Sequence, residues 1–131
     1  MKSLLAIVFF SFPMLNYDPI ISPGLTAVYE HEKQLVKLKW NHQDNRVVKY
    51  ILQRSADNNK WTNIYEIKLD DPEYYKFISY YDNQVLAGRN YYRLKAILTN
   101  NSSEFTPAIM VIIGKPGNNW LMYPVPVREV L

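Results

Sequence analysis

The sequence predicts an all-β sandwich of seven strands, and three observations support this fold class. Short stretches alternate between apolar and polar residues, as in Val36-Lys37-Leu38-Lys39-Trp40, which is the two-residue period of a half-buried strand. Polar turns separate these stretches at intervals of ~8–12 residues, and no stretch has the 3.6-residue period of a helix. Aromatic residues make up 15% of the chain, with Tyr 11, a composition typical of strands.

The first three strands are defined by the turns around them. Pro23-Gly24 precedes the first, and the polar segment 41–46 separates the second from the third. Tyr50 and Leu52 share one face of the third strand, while Lys49 and its alternate neighbours share the other. The seven predicted strands cover residues 25–30, 36–40, 49–53, 61–69, 76–81, 91–98 and 104–113.

The last four strands follow the same logic. The turn 55–60 contains Asp57-Asn58-Asn59, which tolerates left-handed backbone angles, and Asp70-Asp71-Pro72 closes the fourth strand. The corner 82–90 precedes the sixth strand, whose inward phase is Tyr92, Leu94 and Ala96. Pro107 has no N–H to donate to a ladder, so it predicts that the last strand lies at a sheet edge.

The two ends of the chain differ in character from its middle. Lys2 precedes a short apolar run that ends at Pro13, which is the pattern of a secretory signal peptide and too short to span a membrane. We therefore expect a signal peptide over 1–22, one domain over 23–114 and an extended tail over 115–131, which contains three prolines. A buried N-terminal strand is the alternative for the first segment. After signal removal we expect no stable membrane span.

Composition excludes several classes of function. Cys is 0, so disulfides, thiolate metal sites and catalytic cysteines are absent, and a secreted chain of this kind fits a bacterial envelope or extracellular location. The net charge of +3 is too small to indicate nucleic acid as a partner. Neither a glycine-rich phosphate loop nor a Gly-x-Ser-x-Gly elbow occurs. We expect no catalytic residue, no cofactor and no metal, so the chain is not predicted to be an enzyme.

Two groups of residues are candidate metal ligands. His31 and His42 lack a third ligand at useful spacing for zinc. Asp70, Asp71 and Glu73 cluster in one loop. They form either a calcium site or a solvated acidic turn, and we favour the acidic turn.

Outward-facing residues offer two further hypotheses. Tyr81 and Tyr91 belong to tyrosine doublets in which one member points away from the core; they either stack on a sugar or partner, or pack along the sheet face. The other hypothesis is a basic stripe that binds an acidic polymer; the alternative is that these residues are ordinary solvated side chains on strand faces. The stripe would consist of Lys37, Lys39, Lys49, Arg93 and Lys95.

The corner before the sixth strand resembles that of fibronectin type III domains. Leu86 and Tyr92 have the six-residue spacing of that family, with Gly88 between them, and Trp40 stands where the family places a core tryptophan. The resemblance implies a fibronectin type III or immunoglobulin-like sandwich with a tyrosine corner, in which the tyrosine hydroxyl bonds backbone across the turn. It implies structural roles for Trp40, Leu86 and Tyr92.

A narrower resemblance covers longer strings of residues. The segments 50–57 and 88–95, with Trp61, Ile64 and Asp82 between them, are similar to fibronectin-type sandwiches of proteins exported by the type IX system of Bacteroidetes. In these proteins a C-terminal sorting domain follows the sandwich, and the segment 122–127 resembles its opening, with Val125 in place of the usual asparagine. The chain is thus expected to carry only a stub of that domain, as a shortened relative, a fragment or a subunit with another use for its tail.

The tail is strongly apolar and is the predicted partner-binding segment. Its prolines favour an extended shape that suits strand addition to a partner or capture in an aromatic groove. The alternative is that it folds back and covers the edge strand near Pro107. The candidate binding residues are Trp120, Leu121, Met122, Tyr123, Pro124, Val125, Pro126 and Val127.

These observations predict a non-catalytic, secreted or cell-surface module whose sandwich surface and tail bind another protein. The alternatives are a carbohydrate-binding module that uses exposed tyrosines, and an accessory domain separated from an extracellular enzyme. A coplanar row of exposed rings would favour sugar binding, whereas an apolar, unpacked tail would favour a protein partner.

Overall fold

The strands of the domain form two packed antiparallel sheets in a computed structural model, which describes residues 23–71, 76–114 and 124–126. Within these residues every regular element is a strand. The strands are β1 (Thr26–Glu30), β2 (Leu35–Asn41), β3 (Val47–Ser55), β4 (Thr62–Lys68), β5 (Phe77–Asp82), β6 (Gly88–Leu98), β7 (Ser103–Phe105), β8 (Ile109–Ile113) and β9 (Pro124–Pro126).

The smaller sheet has the order β1-β2-β5, and the larger has the order β4-β3-β6-β8-β9, with β7 also paired to β6. Every strand pair is antiparallel. In the described ranges no helix is long and apolar enough to cross a membrane. The predicted signal peptide, 1–22, lies outside the described residues.

The core lies between the inner faces of the two sheets and confirms the predicted inward phase. Trp40 and Tyr50 meet edge to face with ring centroids 6.0 Å apart, one from each sheet. The indole N–H of Trp40 is buried without an acceptor among the described residues. The residues predicted to face inward are all buried, namely Trp40, Tyr50, Leu52, Tyr92, Leu94 and Ala96.

The predicted last strand is two strands, so the prediction of seven was wrong. The described chain forms eight strands between residues 26 and 113 and a ninth at 124–126. The break covers 106–108 and contains Pro107. Between the pairs Lys95↔Phe105 and Tyr92↔Ile109, three residues on this side oppose two on β6. The extra residue makes a bulge-like irregularity, which is where a proline is tolerated.

The corner before β6 differs from the expectation in two respects. Tyr92 is buried as predicted, but its hydroxyl donates to the Oδ2 of Asp82 at 2.8 Å, a carboxylate rather than backbone. Leu86, for which the resemblance implied a structural role, is 64% exposed, so any such role does not come from burial of its side chain. The Asn90 side chain ties the corner instead, because its Nδ2 donates to the Leu86 carbonyl at 2.8 Å and its Oδ1 accepts from the Leu86 N–H.

Three residues of the tail pair with the protein's own sandwich. Val125 lies opposite Met110, flanked by Pro124 opposite Val111 and Pro126 opposite Ile109. Because proline has no N–H, Met110 and Val125 must form the hydrogen-bonded pair of this ladder. The backbone nitrogens of Pro124 and Pro126 then point away from β8. Residues 124–126 therefore cover the edge strand, as the alternative for the tail expected. The other candidate binding residues, Trp120, Leu121, Met122, Tyr123 and Val127, lie outside the described residues.

We predict that Trp40→Ala lowers the free energy of unfolding by about 3–5 kcal/mol, because it removes the largest fully buried side chain. A urea titration measures the loss. An unchanged melting temperature would contradict the central position of this indole.

We predict that Tyr92→Phe destabilises the domain by about 1–3 kcal/mol, because Asp82 is left buried with one donor fewer. Tyr91→Phe is the matched control and is expected to be nearly silent, since Tyr91 faces outward and is only half-buried. Urea titration of the two variants gives the ranking, and the reverse order would show that the corner depends on Tyr91.

Candidate interaction surfaces

The outer face of the smaller sheet exposes three large apolar side chains, and we call it the β1-β2-β5 face. Val28, Lys37 and Tyr81 lie side by side in one row across its three strands. Phe77 lies on the same face of β5, four residues before Tyr81. Val28 is 51%, Tyr81 49% and Phe77 63% exposed. An exposed cluster of this kind typically marks an interaction site.

Lysines are interleaved with these apolar groups. The ammonium of Lys39 lies 4.6 Å from the ring centroid of Phe77, and that of Lys37 lies 5.8 Å from that of Tyr81. Both contacts are cation–π interactions. Neither lysine forms an ion pair with a described carboxylate, and the nearby Glu30 is paired with Lys33 at 3.3 Å. The face is therefore both apolar and cationic.

An arginine is held between two aromatic rings on the outer face of the larger sheet. The guanidinium carbon of Arg93 lies 4.1 Å from the ring centroid of Trp61 and 4.1 Å from that of Phe105. Its Nε donates to the Oε1 of Gln53 at 2.8 Å, and the Nε2 of Gln53 donates to Asn63 at 2.8 Å. Burial lowers the pKa of Arg93, and the guanidinium stays charged, as arginine does in proteins. We call these three stacked residues the Trp61–Arg93–Phe105 clamp.

The turn before β4 sets the position of the clamp's tryptophan. Asp57 Oδ1 accepts hydrogen bonds from the backbone N–H groups of Asn59 and Lys60, each at 2.9 Å, and from the Ser55 hydroxyl. These hydrogen bonds lower the pKa of Asp57 to about 2. Asn58 has the left-handed backbone angle that the sequence predicts, with φ 61°. The turn thus brings Trp61 back over the sheet.

The basic stripe expected from the sequence is divided between two surfaces. Lys37 and Lys39 lie on the smaller sheet, and Lys49, Arg93 and Lys95 lie on the larger one. The stripe is therefore not one continuous site, because the two outer faces point in opposite directions. Lys49 also pairs with Glu66 at 3.4 Å.

The two candidate sugar-stacking tyrosines are separated in the same way. Tyr81 is exposed on the smaller sheet, while Tyr91 is half-buried on the larger one. They do not form a row of rings together.

The buried polar groups have structural partners. Asp82 accepts from Arg54 Nη1 at 2.7 Å on both carboxylate oxygens and from Tyr92. Burial, followed by the nearby Asp82 carboxylate, raises the pKa of Tyr92 far above its ordinary value. Asp82 and Tyr92 are thus enclosed between the sheets.

A second polar cluster lies beside the core tryptophan. His42 Nδ1 lies 3.2 Å from the Tyr50 hydroxyl, and Asp44 is bound by the Arg46 guanidinium. Burial lowers the pKa of His42 and raises that of Tyr50 to about 12, while the Arg46 hydrogen bonds lower the pKa of Asp44. In the described part of the chain no three His, Asp or Glu residues are placed to hold a metal.

The acidic loop is described only in part. Asp70 and Asp71 are exposed, and Glu73 lies outside the described residues. A calcium site there stays an untested hypothesis.

The sequence did not reveal the clamp or the exposure of Phe77. The sequence predicts Trp61 and Phe105 at the starts of two separate strands. Their meeting at Arg93 depends on the pairing of β6 with β7 and on the turn before β4, which alternation along one strand does not encode.

Comparisons with known proteins support the fold. No protein-family model matches the chain, and no curated protein matches it. Among solved structures it is similar to an Fn3-like protein from Clostridium thermocellum, with a TM-score of 0.53 and 21% sequence identity over 72% of this chain and 93% of that chain. The fold is thus a fibronectin type III-like β-sandwich.

Proposed function

We propose that the protein is a non-catalytic module that binds another protein through its β1-β2-β5 face. The observation that carries the proposal is the exposure of Val28, Phe77 and Tyr81 on this single face. Several large apolar side chains exposed on one surface are typical of an interface. The fibronectin type III-like fold agrees with a binding role.

Carbohydrate binding is the second candidate function, and two exposed rings on this face favour it. Phe77 and Tyr81 share one face of β5, as a sugar platform would require. However, a lysine ammonium lies over each ring, so a sugar would have to displace both cations. A protein partner with carboxylates around an apolar centre matches the face as it stands.

Secretion or cell-surface display belongs to the same proposal. It rests on the signal-like segment 1–22 and on the resemblance to sandwiches of type IX export substrates from Bacteroidetes. The tail is proposed as a second contact with the partner, through Trp120, Leu121, Met122, Tyr123 and Val127. Pro124, Val125 and Pro126 would support that contact by holding the tail along β8.

We expect the double variant Phe77→Ser, Tyr81→Ser to capture at least about tenfold less partner than the unchanged protein, because it removes central apolar contacts. Immobilised protein exposed to native envelope or culture medium, with cross-linking and quantitative mass spectrometry, measures the capture. Leu86→Ser is the matched control, since Leu86 is 64% exposed but lies in the corner before β6.

Both variants are expected to keep their melting temperature within a few degrees, because the substituted side chains are exposed. Equal capture by the double variant and the control would contradict a role for the β1-β2-β5 face. Specific retention of the unchanged protein on a glycan, with loss of that retention in the double variant, would assign the face to carbohydrate binding instead.

Deletion of residues 118–131 tests the tail. We expect a loss of partner capture with a small change in melting temperature, because Met110 and Val125 supply the one hydrogen-bonded pair between β8 and the described part of the tail. Differential scanning calorimetry and the capture assay are read together. A drop of more than about 10 °C would show that the tail is part of the fold and not a binding segment.

A further inference from the structure

The outer edge of β7 has no strand partner among residues 23–71, 76–114 and 124–126. Leu98 N–H donates to the Ser102 carbonyl at 2.9 Å, and Thr106 N–H donates to the Leu94 carbonyl at 2.9 Å. Hydrogen-bonded and non-hydrogen-bonded pairs alternate in an antiparallel ladder, so the backbone N–H and C=O groups of Ser103 and Phe105 point away from β6. Among the described residues β7 pairs with β6 alone.

The clamp lies next to this edge and fixes the orientation of a charged group. The guanidinium carbon of Arg93 lies 4.1 Å from the ring centroids of both Trp61 and Phe105, and its Nε is bound to Gln53. The terminal Nη1 and Nη2 groups have no acceptor among the described residues. These two nitrogens lie in one plane and can donate together to the two oxygens of a bidentate carboxylate.

The charge around the clamp favours an anionic ligand. The ammonium of Lys95 lies 5.9 Å from the Phe105 ring centroid and adds a second positive charge. Glu66 of β4 lies on the same outer face, and Lys49 binds it at 3.4 Å. Neither Arg93 nor Lys95 has a carboxylate partner in the described ranges.

We propose that an extended, acidic segment of a protein partner adds as a strand along β7 and places a Glu or Asp carboxylate on Arg93. The open backbone groups of Ser103 and Phe105 would supply the main-chain hydrogen bonds of strand addition, and the carboxylate would supply specificity. The polypeptide is favoured over an acidic sugar because only a polypeptide satisfies both features. This site lies on the sheet opposite the β1-β2-β5 face, so it goes beyond the proposed function.

The test is an NMR titration of the full-length, isotope-labelled protein with two end-capped nonapeptides. One alternates Thr and Glu, and the other replaces each Glu by Gln. We expect the Glu peptide to shift the amide signals of Ser103 and Phe105 and the Arg93 Nε–H signal. The Gln peptide is expected to bind at least about tenfold more weakly, because a charged hydrogen bond is lost.

Three variants separate the two parts of the site. Arg93→Lys keeps the charge but loses the planar fork, and is expected to weaken binding of the Glu peptide about tenfold. Ser103→Pro removes an outward N–H without touching the clamp, and is expected to abolish binding, whereas Ser103→Ala keeps it. Lys39→Gln removes a charge from the opposite sheet and is expected to change affinity by less than about twofold.

Several results would overturn the proposal. Equal binding of the two peptides would show that the carboxylates are not recognised. An equal loss of affinity for the Glu peptide in Arg93→Lys and Lys39→Gln would show that only the overall charge matters. Binding of oligogalacturonate that is unaffected by Ser103→Pro would assign the clamp to acidic sugars. Peptide binding that appears only after truncation at Pro126 would show that this chain's own end occupies the edge.

The outcome is independent of the proposed function. The Phe77→Ser, Tyr81→Ser variant is expected to bind the Glu peptide normally. If the Glu peptide does not bind, but the double variant still captures less partner than the unchanged protein, the proposal for the β7 edge is wrong and the proposal for the β1-β2-β5 face stands.

Discussion

The rest of the structure depends on one buried ion pair that joins the two sheets. Asp82 ends β5 of the smaller sheet, and its carboxylate is bound by Arg54 of β3 and Tyr92 of β6, both in the larger sheet. The same carboxylate accepts the backbone N–H of Gln84 at the start of the corner. Removal of one partner from such a group leaves an uncompensated buried charge. This link therefore fixes how the sheets stack and where the corner into β6 begins.

Once the sheets are fixed in this way, alternation along β6 divides its residues between core and surface. Tyr92, Leu94 and Ala96 face inward and are buried, so Arg93 and Lys95 between them must face outward. Pairing with β7 then brings Phe105 over Arg93, and the Asp57 turn brings Trp61 to its other side. The clamp is thus a consequence of the same register that builds the core, although its three members come from separate parts of the chain.

The sequence predicted what a two-residue period encodes, and little beyond it. The inward phase of β2, β3 and β6 was correct because burial follows alternation within one strand. The division of the last strand at Pro107, the exposure of Leu86 and the acceptor of the Tyr92 hydroxyl were not predicted. Each depends on contacts across strands, such as the side chain of Asn90 replacing Leu86 in the corner. The basic stripe failed for the same reason, since its residues belong to strands of different sheets.

Cation–π contacts explain how so many rings remain on the surface of a small sandwich without a disulfide. Lys39 covers Phe77, and Arg93 lies between Trp61 and Phe105. A hydrated cation over a ring lowers the free energy gained when that ring is buried against another apolar surface. Such cations therefore oppose self-association through the rings. In the proposed function, a partner that brings carboxylates would keep these cations paired while it covers the rings. Charge complementarity would then select the partner, and the apolar side chains would supply the affinity.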